Sequence, residues 1–317
     1  MNYLSSKVKI LGTGSYAPEH VLTNEELARR VNTTPEWIFD NLGIHERRIA
    51  APDAWTSDLA TSAAERAILS AGIDKNEIDL LIVATATPDR KAPSTACFVQ
   101  KKLGITNHIP AFDISAVCSG FLYAMTIGSQ FIESGMHKTV LVIGADTFSK
   151  ITDWNRRDCV FFGDGAGAVI LRRDDSGNAF FSSSLFADGS GHDSFTVYPS
   201  DPYFTMRGKD VYETGTIVLP QAIQSVLAVN QLSTTDITWI VPHQPSIRIL
   251  KKTAEVLNIP FDRVLTNMDR YANTSGATIP ILLDEMTRAK KFKKDDLLVF
   301  AAVGSGWTWG AALYRWL

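Results

Sequence analysis

Along the chain, short runs of Val, Ile, Leu and Ala return at intervals, separated by polar, glycine-bearing links. The runs at 8–14 (VKILGTG), 79–87 (DLLIVATAT), 139–146 (TVLVIGAD), 166–173 (AGAVILRR), 237–243 (ITWIVPH), 296–303 (DLLVFAAV) and 310–317 (GAALYRWL) predict strands. They are nearly continuously apolar, the pattern of strands covered on both faces. Between them, 57–71, 95–103, 119–134, 216–229, 247–257 and 278–289 carry helical patterning. Strands alternating with helices over a mostly central sheet define an α/β architecture.

The pattern also repeats weakly at long range. LSAGIDKNEIDLLIVAT (69–85) resembles AVNQLSTTDITWIVPH (228–243), each a helix end, a polar link and a buried strand. VCSG (117–120) aligns with NTSG (273–276), and GAGAVILR (165–172) with TWGAALYR (308–315). The pairs lie about 145–160 residues apart and in the same order. Two similar α/β halves, 1–175 and 176–317, account for this better than one irregular sheet. In that alignment Cys118 and Asn273 fall at equivalent strand-to-helix turns, and His243 ends the strand that matches LLIVA.

Composition narrows the class. With 317 residues, 45% hydrophobic and 21% charged, the chain is an ordinary soluble globular protein, long enough for one large domain or two. A net charge of −3 and no long basic run argue against a nucleic-acid partner. No apolar stretch approaches the roughly 18–20 residues of a membrane span. The opening MNYLSSKVKILGTGSYAPE lacks the apolar core of a secretory signal. Cys97, Cys118 and Cys159 are too few and too widely spaced for a disulfide framework, so free thiols in a reducing, cytosolic compartment are expected. No CxxC, HxxxH or carboxylate cluster has metal-ligand spacing.

Three groups stand out for chemistry. Cys118 in FDISAVCSGFLYAM lies between a strand and a helix, where unpaired helix N–H groups and the dipole favour a thiolate. An imidazole near it, His243 in VPHQPS, can exchange a proton or hydrogen-bond an oxyanion. Asn273 in YANTSG adds a donor that does not titrate. Each has a plainer alternative: a packed core thiol for Cys118, a loop-fixing ring for His243, a helix cap for Asn273. Cys97 and Cys159 read as structural, Cys159 within a strand CVFF, and the other histidines as surface groups. FGDGAGAV (162–169) lacks both the dinucleotide and the P-loop signature, so a tight turn is expected there. VGSGWTWG (303–310) offers backbone amides for half of an oxyanion hole. Arg248, Lys251 and Lys252 recur at i, i+3 and i+4 after His243, a basic face that suits an acidic partner or is simply solvated.

In combination, Cys118 in CSGF, His243 in PHQPSIRI, Asn273 in NTSG, FGDGAGAV and the terminal GSGWTWGAAL resemble the β-ketoacyl-acyl-carrier-protein synthase III family. These are the initiating condensing enzymes of type II fatty acid synthesis. The resemblance runs from GTGSYAPE (12–19) to the C-terminus. It implies a thiolase-like fold of two pseudo-symmetric halves in α-β-α-β-α layers. It also implies acyl transfer from acyl-CoA to Cys118, followed by decarboxylative condensation with malonyl-acyl-carrier protein. In that scheme His243 and Asn273 hold the malonyl thioester and its enolate, and the amides of Cys118 and Ser305 form the oxyanion hole. No metal or redox cofactor is implied; CoA and carrier protein bring the pantetheine arm. Trp37, Arg156, Gly208 and Ser246 are the implied CoA and pantetheine contacts. Asn41 stands where many relatives have an arginine, and Ser246 where an asparagine is common. Ala92 replaces a phenylalanine that closes the acyl pocket across a homodimer, which implies a longer or bulkier primer unless Phe148 refills the space. Arg248, Lys251 and Lys252 become the carrier-protein docking face. Some stretches, including MRGKDVY, also resemble a condensing enzyme of alkylquinolone metabolism. A non-catalytic thiolase-fold protein binding acyl groups or carrier protein is the third reading.

Overall fold

The computed structural model describes residues 7–317; the first six residues, which open the stretch inspected for a secretory signal, lie outside the described residues. In chain order the first part forms strands β1 (Val8–Tyr16) and β2 (Val21–Thr23), helices α1 (Asn24–Ala28) and α2 (Pro35–Leu42), and strand β3 (Glu46–Arg48). It continues with α3 (Thr56–Ala71), β4 (Leu80–Ala84), α4 (Thr95–Leu103), β5 (Ala111–Ile114), α5 (Gly120–Glu133), β6 (Thr139–Thr147) and β7 (Asp164–Arg173). Then come β8 (Phe181–Ala187), β9 (Phe195–Val197), β10 (Phe204–Met206), α6 (Gly208–Val229), β11 (Trp239–Pro242) and α7 (Ile247–Leu257). The chain closes with α8 (Met268–Tyr271), α9 (Thr278–Arg288), β12 (Leu297–Gly304) and β13 (Thr308–Arg315).

The continuous apolar strands are covered on both faces. Along β4 and β6, Leu81, Val83, Leu141 and Ile143 face the alanine-rich side of α3. The alternate residues Leu80, Ile82, Val140 and Val142 face α5, and through it Leu298 and Phe300 of β12. Val299, Ala301 and Leu313 point the other way, into a core with α6 and α7. Period-two alternation therefore sends each strand's side chains into two different apolar layers. Helices α5 and α9 touch both large sheets, α3 and α4 cover the first, and α6 and α7 the second. The result is the α-β-α-β-α layering of the thiolase-like fold.

The internal repeat is visible in the topology. The first sheet runs β1-β7-β6-β4-β5 and the second β8-β13-β12-β11. In each, the first two pairings are antiparallel and the third parallel. The counterpart of β5 has shrunk to a single parallel bridge, Ile240 to Val264. The turns before α5 and α9 are both 3₁₀, Val117–Ser119 and Ser275–Ala277. Each begins on a non-glycine residue with positive φ, Val117 at 45° and Ser275 at 53°. This pairs Cys118 with Gly276, two residues away from the VCSG/NTSG alignment, because backbone conformation and not side-chain identity sets the register. Gly276 in turn sits on β6: a Cβ on Gly144 would lie 2.2 Å from the Gly276 carbonyl oxygen, so the two parts meet backbone to backbone.

Three element expectations need correction. Helix α6 begins at Gly208, eight residues before the expected 216, because its first turns are polar and lack an apolar period. FGDGAGAV contributes most of its residues to strand β7, not to a turn, and α9 lies against that strand. Cys159 is buried in a 3₁₀ turn, Arg157–Val160, and not in a strand.

Candidate active site

Cys118 sits on the 3₁₀ turn joining β5 to α5, half-buried, one turn before the helix proper. Its Sγ is 3.6 Å from Ser275 Oγ, on the equivalent turn of the second repeat. Burial pushes its thiol up to about 12, Ser275 opposes this, and the nearby Asp146 carboxylate adds to it. Desolvation therefore opposes the thiolate that the helix-end amides favour.

His243 follows β11 and is fixed from both sides. Its backbone N–H donates to Ala301 O at 2.8 Å. Gln244 clamps the loop through Pro242 O at 3.0 Å and Leu265 O at 3.3 Å. The ring is buried and its Nδ1 lies 2.8 Å from Thr278 Oγ1, leaving Nε2 for a ligand. Burial lowers its pKa to about 3, so the imidazole is neutral at physiological pH. Thr278's hydroxyl proton has two acceptors, Ser275 O at 2.9 Å and His243 Nδ1. Given to Ser275 O, it leaves Nδ1–H to donate to Thr278 and Nε2 as an acceptor; given to Nδ1, it selects the tautomer whose Nε2–H can donate into the cleft.

Asn273 pairs with Phe162 in an isolated parallel bridge. Its Oδ1 accepts from Ser275 N–H at 2.8 Å, so it does cap the turn. Among the described residues its Nδ2 has no protein partner, and the side chain borders the cleft. Gly304 presses on the cysteine turn: a Cβ there would come within 3.1 Å of the Cys118 amide nitrogen. Ser305 follows, and its hydroxyl donates to Phe195 O at 2.5 Å.

Cys118, His243, Asn273, Ser305, Trp37, Gly208, Ser246 and Arg248 all line one cleft of about 240 Å³. Its walls are mainly apolar, with Phe162, Phe195 and Met206 packed on one another. At its mouth, α2 presents Trp37, the helix started by the Thr34 cap and Pro35. Ser246 caps α7, its Oγ accepting from Ile249 N–H at 3.4 Å. Arg248 Nη1 donates to Asn41 Oδ1 at 3.1 Å and the guanidinium lies 5.2 Å from the centre of the Tyr212 ring. Asn41, in the place of the family's arginine, therefore holds Arg248 where a second cation would repel it.

Other expected contacts fall elsewhere. Arg156 is turned to Phe204 O at 2.8 Å and pairs with Asp158, so it does not border the cleft. Its neighbour Arg157 lies over Trp37, 4.2 Å from the ring centre; the 3₁₀ phase decides which of two adjacent arginines meets that ring, and sequence does not. Phe148 is not a wall but a second layer, stacked at 4.6 Å behind Phe162. Ala92 lies on an exposed loop outside the cleft. Lys251 is exposed, but Lys252 is tied to Glu255 at 2.8 Å, which thins the basic face. Ser275, Asp146, Phe195 and Tyr212 were not singled out in the sequence: Ser275 and Tyr212 lie inside NTSG and MRGKDVY without a role of their own, and Asp146 and Phe195 have no local signal. Among the described residues, no group of three or more His, Cys, Asp or Glu could hold a metal ion. No described helix is long and apolar enough to cross a membrane.

Comparison with known proteins agrees with this geometry. Residues 112–189 match the family described as 3-oxoacyl-[acyl-carrier-protein (ACP)] synthase III, and 227–316 its C-terminal counterpart. The β-ketoacyl-[acyl-carrier-protein] synthase III of Ehrlichia canis is 48% identical over 96% of this chain and 98% of its own length. That of Alkalilimnicola ehrlichii is 45% identical over 98% and 100%. The crystal structure of the 3-oxoacyl-[acyl-carrier-protein] synthase III of Aquifex aeolicus superposes with a TM-score of 0.94 at 41% identity, covering 98% of this chain and all of that one. Two α/β repeats with a cysteine, a histidine and an asparagine meeting at their junction are the layout of a condensing acyltransferase of the thiolase-like fold. The chain belongs to the β-ketoacyl-acyl-carrier-protein synthase III family, and its activity is the condensation that names that family. The secondary-metabolism alternative is not favoured by these relatives.

Proposed function

We propose that Cys118 carries the acyl group while His243 and Asn273 act on the malonyl unit. The observation that supports this is the convergence of three groups distant in sequence on one cleft, each with one functional atom left open to it. Cys118 sulfur attacks a donor thioester, giving an acyl-enzyme and a free carrier thiol. The amides of Cys118 and Ser305 face the tetrahedral oxyanion. A malonyl thioester then enters and loses CO₂. Asn273 Nδ2–H and the Nε2–H of neutral His243 hold the enolate oxygen; the enolate carbon attacks the acyl-cysteine carbonyl, the carbon–sulfur bond breaks, and the β-ketoacyl thioester leaves as Cys118 recovers its proton. A neutral ring suits this role, since it donates without adding a charge that must be desolvated.

In this reading acyl-CoA is the donor, with Trp37 and Arg157, in place of Arg156, receiving its nucleotide, and Gly208 and Ser246 bordering the pantetheine arm. Acyl carrier protein brings the malonyl group and docks on Arg248 and Lys251. The protein is a cytoplasmic homodimer of chains built as repeats 1–175 and 176–317, and it starts fatty acid synthesis. Ala92 bounds the acyl pocket only if a second copy contributes it, and the proposed primer is then larger than acetyl. Incubation with a panel of acyl-CoA and acyl-carrier-protein donors, followed by intact-protein mass spectrometry, tests the scheme. An adduct on Cys118 is expected. Equal or better priming by acetyl-CoA than by octanoyl thioesters overturns the larger primer. Full condensation after alkylation of Cys118 with iodoacetamide overturns the role of the cysteine.

A further inference from the structure

The chemistry above leaves the Cys118 proton without a destination and one buried carboxylate without a task. Asp146, near the end of β6, is fully buried. Its Oδ1 accepts from Thr85 Oγ1 at 3.1 Å, Ala86 N at 2.8 Å, Thr87 N at 3.2 Å and Thr87 Oγ1 at 2.9 Å. Its Oδ2 accepts from Gly276 N at 3.0 Å. The Ser275 hydroxyl, on the residue next to Gly276, favours the charged form of this carboxylate. The same hydroxyl is the hydrogen-bond partner of Cys118 Sγ, at 3.6 Å. A hydroxyl has one proton. While Ser275 gives it to Asp146, its oxygen can only accept from the thiol, so the S–H of Cys118 points at Ser275.

We propose that Ser275 and Asp146 form the proton relay that activates Cys118 for acylation, Ser275 as a catalytic residue touching the sulfur and Asp146 as a positioning residue acting through it. The inference rests on Cys118 being the acyl carrier. As Sγ bonds to the donor's carbonyl carbon, the S–H proton passes to Ser275 Oγ. The Ser275 hydroxyl proton passes at the same time to the Asp146 carboxylate. When the intermediate collapses, the carbon–sulfur bond to the donor's carrier breaks. The departing thiolate regains a proton along the same two groups, which end as they began.

His243 is a poorer candidate for this task. Its Nδ1 is tied to Thr278, and among the described residues it makes no hydrogen bond to Cys118 Sγ. Burial moves the two groups in opposite directions, raising the proton affinity of Asp146 and lowering that of His243. The groups facing the pair are the Thr85 and Thr87 hydroxyls beyond β4, the Cys118 thiol before α5, and the His243 ring after β11. Proton transfer through Ser275 also lets the protein keep a neutral, desolvated thiol until a donor arrives.

The test measures the rate of acyl-enzyme formation from acyl-CoA by quenched intact-mass analysis between pH 4.5 and 9. Wild type, Ser275→Ala and Asp146→Asn are compared, with a thermal melt on each. Wild type should lose rate as pH falls through about 6, where Asp146 takes up its own proton. Both variants should acylate at least tenfold more slowly at neutral pH and lack that acid limb. A purely structural role would slow acylation without removing the limb. Should Asp146→Asn fail to fold, Ser275→Ala, which removes one oxygen, carries the test alone. Acylation within threefold of wild type with an unchanged pH profile overturns the relay. Absence of any Cys118 adduct in the wild type overturns the acyl-carrier reading itself.

Discussion

Individual residues show how far environment overrides type. Cys118 is conspicuous from its position between strand and helix, and burial there works against the thiolate that the helix end favours. Cys118→Ala should give no acyl adduct and lower condensation by about 10³-fold or more, measured with any accepted donor. The His243 imidazole is likewise set by burial. An unfolded histidine takes up a proton below about pH 6.5, whereas the native ring refuses one until about 3. Its contribution to stability is therefore complete above 6.5 and is lost as pH falls toward 3. Asp146 works in the opposite sense: its raised native pKa contributes stability below its unfolded value, lost as pH rises through about 6. The Asp146 gain is common to both proteins, so as pH falls from 6.5 to 4.5 the melting temperature of wild type should drop relative to that of His243→Gln; parallel curves would show that the ring is not the titrating group.

At the scale of elements, legibility follows the source of the signal. Helix α7 was readable to the residue because its polar face, its Ser246 cap and Asn258 after its end are all local. The start of α6 was not, since its first turns border the cleft mouth through Gly208, Val211 and Tyr212 and carry no apolar period. The 3₁₀ turns hide more: they set Arg157 instead of Arg156 on Trp37, and shift the repeat by two residues. Between β12 and the cysteine turn the fit is close enough to test. A Cβ on Gly304 would lie 2.9 Å from Ala116 O and 3.1 Å from Cys118 N. Gly304→Ala should cost roughly 1–3 kcal/mol of stability and, by displacing the Cys118 amide, slow acyl transfer roughly 10- to 100-fold. Wild-type acylation kinetics in that variant would mean that the turn tolerates movement.

For the molecule as a whole, the weakly acidic surface makes the surviving basic pair on α7 matter. Arg248 borders the cleft, Lys251 is exposed one turn further along the same helix, and an acidic carrier protein would be steered toward them. Arg248→Glu should weaken use of malonyl-carrier protein more than use of a malonyl-pantetheine mimic, and the difference should shrink as salt is raised; equal losses on both substrates would place Arg248 in pantetheine binding alone. By itself the sequence determined the α/β class, the doubled architecture and the cysteine, histidine and asparagine to watch. Those depend on apolar runs and turn residues that act locally, and on spacing that survives between the repeats. Only the tertiary structure decided which arginine faces Trp37, that Phe148 backs Phe162 instead of lining the cleft, and that Ser275 stands beside the thiol. These are consequences of how two sheets and their turns meet, where burial sets charge and a two-residue change of register selects a different neighbour.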